Sequence, residues 1–377
     1  MRCVIPVLWL CGPPGVGKTT VAWQLYQDLG RAGVPAGFAD IDQLGICYPE
    51  PAADPGRHRM KARNLAAVAD GFRRAGARCL VVSGVVDPQR GVELPGFPDS
   101  LVTVCRLRAD RDELLRRFLG RGGAPDLLDA VAREADALDA SDIAGVCVET
   151  GGATAREVVR LVRERIRGWP GPAGGPAPEA AESPVSADGP VLWLCGATGV
   201  GKSTVGFAAY QRVLRAGTPA AYVDVDQVGF CHPLPGDPGA RRLKARNLAA
   251  LWRTYRSAGA QALVVTGWAP DRAAAGILAA ALPAAEFTLC RLHAGQEELT
   301  RRILRRGSGG SWPQPGDPLR GQPVEHLLGI ADEAVATAVA LEDAGVGDLW
   351  IDTDGLTADQ VADALLERTG WPSPAGA

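Results

Sequence analysis

Apolar and polar positions alternate along the chain in blocks that predict strand, loop and helix in turn. The first block is an uninterrupted apolar run from Val4 to Cys11, which is typical of a central parallel strand buried on both faces. A glycine-rich turn follows, and then the helix-like segment from Val21 to Leu25. Strand, loop and helix in this order form the repeating unit of an open α/β sheet.

Later strand-like runs end at the acidic pair Asp40 and Asp42, at Gly84, at Leu107 and at Thr150. Helical spacing of apolar residues, or a polar loop, separates each run from the next. The pattern therefore predicts the α/β class, with a doubly wound parallel sheet flanked by helices.

The whole pattern occurs twice. Val7–Gly12 reappears as Val191–Gly196, and Lys61–Ala67 reappears as Lys244–Ala250. An internal repeat of this length predicts two domains of the same fold in tandem, and it allows an intramolecular pseudo-dimer of the two lobes.

We predict lobe one at residues 1–168 and lobe two at residues 190–377. Residues 169–189 between them are rich in proline, glycine and alanine without apolar periodicity, as in a linker. Each lobe is long enough to bury a full core without a metal or a disulfide.

The glycine-rich turn fits the pattern G-x-x-x-x-G-K-[ST] in both lobes. Backbone N–H groups of such a loop wrap phosphates, the lysine reaches the β- and γ-phosphates, and the hydroxyl binds Mg²⁺. The predicted nucleotide-binding residues are Gly12, Gly15, Val16, Gly17, Lys18, Thr19 and Thr20 in lobe one, and Gly196, Gly199, Val200, Gly201, Lys202, Ser203 and Thr204 in lobe two.

An acidic pair follows the second strand-like run: Asp40 and Asp42, repeated as Asp224 and Asp226. Residues two apart on a strand share a face, so both carboxylates are expected beside the phosphate loop, where open α/β sheets bind ligands. Such a pair suits water-mediated Mg²⁺ binding and proton acceptance from an attacking hydroxyl. The third strand lacks the acidic residue of a motor ATPase, which argues against that class.

Lys61 and Asn64 lie at the start of a predicted helix, repeated as Lys244 and Asn247. At about 100° per residue, Lys61 falls inside the apolar arc of this helix, with Asn64 at its edge. Such a lysine either extends to solvent or faces a cleft. The chain has only four lysines among 40 basic residues, which favours a role that needs the shape of lysine.

Composition limits the function classes. The net charge of −3 and the 6% aromatic content argue against a nucleic-acid partner. The sequence contains no apolar run long enough to span a membrane, so we expect a cytoplasmic protein without a membrane partner. Nine cysteines without paired spacing favour buried thiols over disulfides.

In these motifs and their order, the chain resembles the small-molecule P-loop kinases, including shikimate, gluconate and adenylylsulfate kinases and chloramphenicol phosphotransferase. The resemblance covers most of both lobes. It implies that Asp40 and Asp224 help to place Mg²⁺, and that Asp42 and Asp226 bind and deprotonate the acceptor hydroxyl. It further implies that the lid arginines Arg121 and Arg306 contact ATP. The acceptor pocket is expected beside Lys61, Asn64 and Gly84 in lobe one, and beside Lys244, Asn247 and Gly267 in lobe two.

We therefore expect Mg²⁺-dependent transfer of the γ-phosphoryl group of ATP to a hydroxyl or phosphate group of a small acceptor, with the acceptor unnamed. Two alternatives remain open: a nucleotide-binding switch without acceptor turnover, and a polynucleotide kinase. Lobe two is about 18 residues longer between the lid helix and the last strand. The extra segment mixes glycines with Trp312 and Arg320, and it predicts a closing loop and the more elaborate acceptor site in lobe two.

Overall fold

The computed structural model describes residues 4–171, 187–267, 269, 271–310 and 317–372. Its strands are β1 Val7–Cys11, β2 Ala36–Asp40, β3 Cys47–Tyr48, β4 Cys79–Ser83, β5 Val102–Arg108, β6 Val146–Glu149, β7 Gly189–Cys195, β8 Ala220–Asp224, β9 Cys231–His232, β10 Ala262–Thr266, β11 Ala285–His293 and β12 Leu349–Asp352. Its helices are α1 Lys18–Arg31, α2 His58–Arg74, α3 Arg111–Gly120, α4 Leu128–Asp139, α5 Ala155–Arg165, α6 Lys202–Arg215, α7 Arg241–Ser257, α8 Arg272–Ala281, α9 Gln296–Gly307, α10 Val324–Asp343 and α11 Ala358–Thr369.

The strands form two six-stranded sheets, in the orders β6-β5-β1-β4-β2-β9 and β12-β11-β7-β10-β8-β3. All neighbours are parallel except the β2–β9 and β3–β8 pairs, which are antiparallel. The predicted fold class, α/β with two parallel sheets in tandem, is confirmed.

The apolar runs form strands because both faces of the central strands are covered. Every residue of β1 and of β4 is buried, and so is every residue of β10. The carboxyl ends of β1, β2 and β4 lie along one edge of their sheet because these strands are parallel. That edge is where the polar residues singled out above are found.

The chain divides into two compact units. Unit 1 comprises Met1–Gly45, Asp54–Ala181 and Phe230–Leu243, and unit 2 comprises Ile46–Ala53, Glu182–Gly229 and Lys244–Ala377. Each unit thus includes a short segment from the other sequence repeat, which the apolar pattern gave no reason to expect. The predicted linker, residues 169–189, falls largely on residues 172–186, outside the described residues.

No helix in the described part of the chain is long and apolar enough to cross a bilayer.

Candidate active site

The phosphate loop of each unit connects the central strand to a long helix. In unit 1 the helix α1 begins at Lys18, and in unit 2 the helix α6 begins at Lys202. Helix N-termini favour anions because their backbone N–H groups point outward and the helix dipole is positive there. Thr20 and Thr204 are exposed on the first helical turn. Val16 and Val200 are buried and anchor the loop.

The loop lysines are held over the loop by its own carbonyl groups. The Nζ atom of Lys18 donates to Pro13 O at 3.1 Å, and that of Lys202 donates to Gly196 O and Ala197 O at 3.0 and 2.9 Å. Burial lowers the pKa of both ammonium groups, while the nearby aspartates oppose this shift. Each lysine thus lies close to the acidic pair of its own unit.

The carboxylate of Asp40 accepts hydrogen bonds from three donors. Its Oδ2 accepts from Thr19 Oγ1 at 3.1 Å and from Ser83 Oγ at 3.0 Å, and its Oδ1 accepts from the backbone N–H of Asp42 at 3.0 Å. Burial, and then the negative charge of Asp42, raises the pKa of Asp40. A hydroxyl and a carboxylate held together beside a phosphate loop are oxygen donors of the kind that Mg²⁺ prefers.

The corresponding contacts recur in unit 2 with one change. Asp224 accepts from Ser203 Oγ at 2.8 Å and from the N–H of Asp226 at 3.0 Å. Thr266, which replaces Ser83, lies 2.9 Å from the hydroxyl of Tyr222.

The second aspartate of each pair does not lie on the strand. β2 ends at Asp40 and β8 ends at Asp224, so the expectation that both carboxylates share a strand face was wrong. The chain turns after the first aspartate, whose side chain caps the N–H of the second. This turn, and not strand periodicity, sets the position of Asp42 and Asp226.

Lys61 and Lys244 bind the second aspartates. Lys61 Nζ donates to Asp42 Oδ1 at 2.9 Å, and Lys244 Nζ donates to Asp226 Oδ1 at 2.6 Å. Burial raises the pKa of Asp42, but the positive charges of Lys61 and Lys18 outweigh it, so the pKa lies below its ordinary value. Asp42 is therefore a carboxylate at neutral pH.

Asn64 and Asn247 are fully buried, with 0% exposure. Their amides donate to the backbone at Leu44 O, 2.5 Å away, and at Val228 O, 2.7 Å away. The structure thus places both asparagines behind the turns that carry Asp42 and Asp226, where they support these turns without lining a cleft.

Gly84 and Gly267 follow the third parallel strand of their sheets, with φ angles of +147° and +139°. A Cβ atom at Gly84 would lie 1.7 Å from Ile41 Cγ2, and one at Gly267 would lie 2.4 Å from Val225 Cγ2. The residue between the two aspartates therefore packs against a backbone that has no side chain, and only glycine fits there.

The lid arginines differ between the units. Arg121 follows α3 with its guanidinium 5.4 Å from the centre of the Phe118 ring. Burial lowers the pKa of Arg121, and the negative charge of Asp42 opposes the shift. Arg306 donates instead to Asp317 Oδ2 at 2.8 Å. Part of the predicted closing loop of lobe two, including Trp312, lies outside the described residues.

Two further arginines of the arginine-rich lid helices connect each helix to the last strand of its sheet. Arg117 donates to Thr150 Oγ1 and Thr150 O at 3.1 and 2.9 Å. Arg302 donates to Thr353 Oγ1 and Thr353 O, both at 2.9 Å, and to Val200 O in the phosphate loop at 2.8 Å. The two arginines occupy matching positions in the two sequence repeats.

Glu134 on α4 distinguishes unit 1. Burial raises its pKa, and the positive charge of Lys18 opposes that shift, so the carboxyl group lies near the phosphate loop. Aligning Leu138 with Leu341 places Thr337 at the corresponding position of α10. Unit 1 thus has an additional acidic group at its site.

A cavity of about 460 Å³ opens beside the acidic turn of unit 1. Trp9, Ile41 and Leu94 supply apolar walls, while Lys61, Arg90 and Glu93 supply charged groups. Because Ile41 lies between the two aspartates and Lys61 binds Asp42, the cavity adjoins the candidate chemical groups. Its volume suits a small organic molecule.

Residues 8–137 match the family model described as an AAA domain. Similar solved structures include the tunicamycin resistance protein of Deinococcus radiodurans, with 22% identity over 48% of this chain and 96% of that chain, at a TM-score of 0.32. They also include shikimate kinase from Bacteroides thetaiotaomicron, with 16% identity over 48% and 98% at a TM-score of 0.33. APS kinase from Mycobacterium tuberculosis, in complex with AMPPNP and APS, has 17% identity over 48% and 98% at a TM-score of 0.30.

No curated protein matches the chain. The recognition of a likeness to P-loop small-molecule kinases is confirmed by the proteins that these comparisons name.

Proposed function

We propose that the chain transfers the γ-phosphoryl group of Mg-ATP to a hydroxyl group of a small molecule. The observation that carries this proposal is the arrangement in unit 1, where a phosphate loop, an acidic turn and a cavity adjoin one another. Lys18 and the N-terminus of α1 would bind the phosphates. Thr19 and Asp40 would hold Mg²⁺, which neutralises charge on the transferring group when bound.

Asp42 is exposed enough to contact the acceptor molecule. Its carboxylate is half-exposed, at 49%, whereas Asp40 is 8% exposed. A hydroxyl group in the cavity would approach Asp42, which would accept its proton as the oxygen attacks phosphorus. Lys61 holds the carboxylate through its hydrogen bond and keeps it ionised, so it positions the base.

The cavity supports an acceptor with an apolar body. Trp9 is 4% exposed, and its indole N–H has no hydrogen-bond acceptor within the described part of the chain. The indole nitrogen is itself buried, so an acceptor oxygen would satisfy this donor once the Trp9 ring turns its N–H edge into the cavity. Lys61 is already paired with Asp42, but Arg59, Arg63 and Arg90 also line the cavity, so the lining suits an anionic alcohol as well as a neutral one.

The cavity described above belongs to unit 1, whereas the sequence predicts the more elaborate acceptor site in lobe two. That expectation rests on a segment partly outside the described residues, and it stays a prediction. We further propose that the protein acts in the cytoplasm, where Mg-ATP is abundant.

A screen of hydroxyl-bearing metabolites and natural products with Mg-ATP tests the function, with mass spectrometry detecting phosphorylated products. The expected result is a product that wild-type protein forms and the Lys18→Ala, Lys202→Ala double variant does not. ATP binding without any acceptor-dependent product would favour the nucleotide-switch alternative and reject the kinase proposal.

A further inference from the structure

Unit 1 contains a strand from the second sequence repeat. β9 pairs antiparallel with β2, with Gly37 opposite Cys231. Beyond this pair the backbone N–H of Phe38 donates to Phe230 O at 2.9 Å. This segment therefore completes the edge of the sheet of unit 1.

Side chains secure the same segment. The ring of Phe230 lies 4.8 Å from that of Trp23, centre to centre, in an edge-on contact. The ring of His232 lies 4.2 Å from that of Tyr26, and its Nε2 atom is 3.1 Å from Tyr26 O. Aromatic contacts of this kind add stability beyond that from the apolar area they bury. Side-chain packing therefore holds the segment in place in addition to the backbone hydrogen bonds.

Unit 2 contains the reciprocal strand from the first repeat. β3 pairs antiparallel with β8, with Cys47 opposite Ala221. The N–H of Tyr222 donates to Ile46 O at 2.9 Å, and the side chain of Ile46 packs against the core of this unit. Ile46 and Phe230 occupy equivalent positions in the two repeats.

Without these segments, β2 and β8 would each be an open sheet edge with unsatisfied backbone groups. We propose that the two sequence repeats exchange short strands within one chain, so that each repeat completes the sheet edge of the other. If the segment between the repeats is cleaved, the two resulting polypeptides should therefore remain associated. The partner of each edge is the other repeat of the same chain.

The β3–β8 register allows a direct test. Because Tyr222 and Ile46 share a hydrogen bond, Cys47 and Ala221 form the adjacent pair without one, whose Cα atoms are about 4.5 Å apart in such ladders. That separation lies within the range of about 4.4–6.8 Å that a disulfide spans. An Ala221→Cys substitution therefore places a second thiol opposite the native Cys47.

The experiment uses the full chain with a protease site introduced within residues 172–186. After oxidation and cleavage, the Ala221→Cys protein should give one band on a denaturing gel without reductant and two bands with it. The matched Ala221→Ser protein should give two bands in both lanes. Two bands from oxidised, folded Ala221→Cys protein without reductant would overturn the proposal.

Ala221 is completely buried, so a second measurement avoids the substitution. Wild-type chain carrying the protease site should elute, after cleavage, as one species with the mass of the intact chain in size-exclusion chromatography with light scattering. Separation into two fragments would contradict the exchange. A species of twice the intact mass would show exchange between copies and overturn the intramolecular form.

Discussion

Lys61 donates a hydrogen bond to Asp42 across 2.9 Å, and its aliphatic stem runs against Gly45. A Cβ atom added to Gly45 would lie 2.5 Å from Lys61 Cε, and one added to Gly229 would lie 2.7 Å from Lys244 Cγ. The channel for the stem is therefore narrow. It accepts a thin chain ending in a compact ammonium group, which gives a packing reason for lysine in a chain otherwise rich in arginine.

Replacing Lys61 by arginine should lower kcat by about 10²-fold, because a displaced Asp42 misaligns the acceptor. The KM for ATP should stay near its wild-type value, since the hydrogen bond of Lys61 goes to Asp42 and not to the phosphate loop. Steady-state kinetics measure both parameters. Arg74→Lys, at an exposed position near the end of the same helix and outside the cavity lining, is the matched control and should leave kcat unchanged. A wild-type kcat in the Lys61→Arg variant would show that Lys61 does not position Asp42 for the reaction.

Each unit should bind one Mg-nucleotide. Calorimetric titration with a non-hydrolysable ATP analogue should give a stoichiometry near two for the wild type, and near one for Lys18→Ala and for Lys202→Ala. The reason is that each lysine is the loop cation of a separate phosphate loop. A wild-type stoichiometry near one would restrict binding to one unit, and the single variants would identify it.

Asp42 and Asp226 form a second matched pair. Asp42→Asn should reduce turnover by about 10²- to 10⁴-fold, the usual cost of losing a general base, while nucleotide affinity is retained. Asp226→Asn should cost less if unit 1 carries the acceptor cavity. Equal losses would assign turnover to both units, and a larger loss from Asp226→Asn would move the acceptor site to unit 2.

Trp9→Phe removes the indole N–H but keeps an aromatic wall. We expect the KM for the acceptor to rise about 2- to 10-fold, as one net hydrogen bond of about 0.5–1.5 kcal/mol predicts, with the KM for ATP unchanged. Trp193, at the equivalent position of unit 2, is also buried, and its N–H has no acceptor in the described ranges. Trp193→Phe is therefore the control, and equal effects of the two substitutions would argue against a contact specific to unit 1.

The sequence was sufficient for the central sheet and for the phosphate loops, because long buried apolar runs and a fixed glycine pattern are strong local signals. It was insufficient for the acidic turn. Strand periodicity cannot show where a strand ends, and β2 ends at Asp40 because its side chain binds the next turn.

The exchanged segments could not be predicted from the sequence, for a different reason. β3 and β9 are two-residue strands, too short to produce any alternation of apolar and polar residues. Their partners lie in the other sequence repeat, so the pairing depends on tertiary structure alone. The roles of Asn64 and Asn247 were missed similarly, since helical phase places a side chain near a cleft without showing which backbone group it binds.

Gly84 has no functional group, yet it determines where two functional groups stand. The space beside its Cα atom is filled by Ile41, and this lets the backbone pass from Asp40 to Asp42 in one tight step. Any side chain at this position would push Ile41 outward and carry Asp42 with it. A saturation scan for activity should therefore show position 84 to be as intolerant as position 18, although glycine has no side chain that could take part in the reaction.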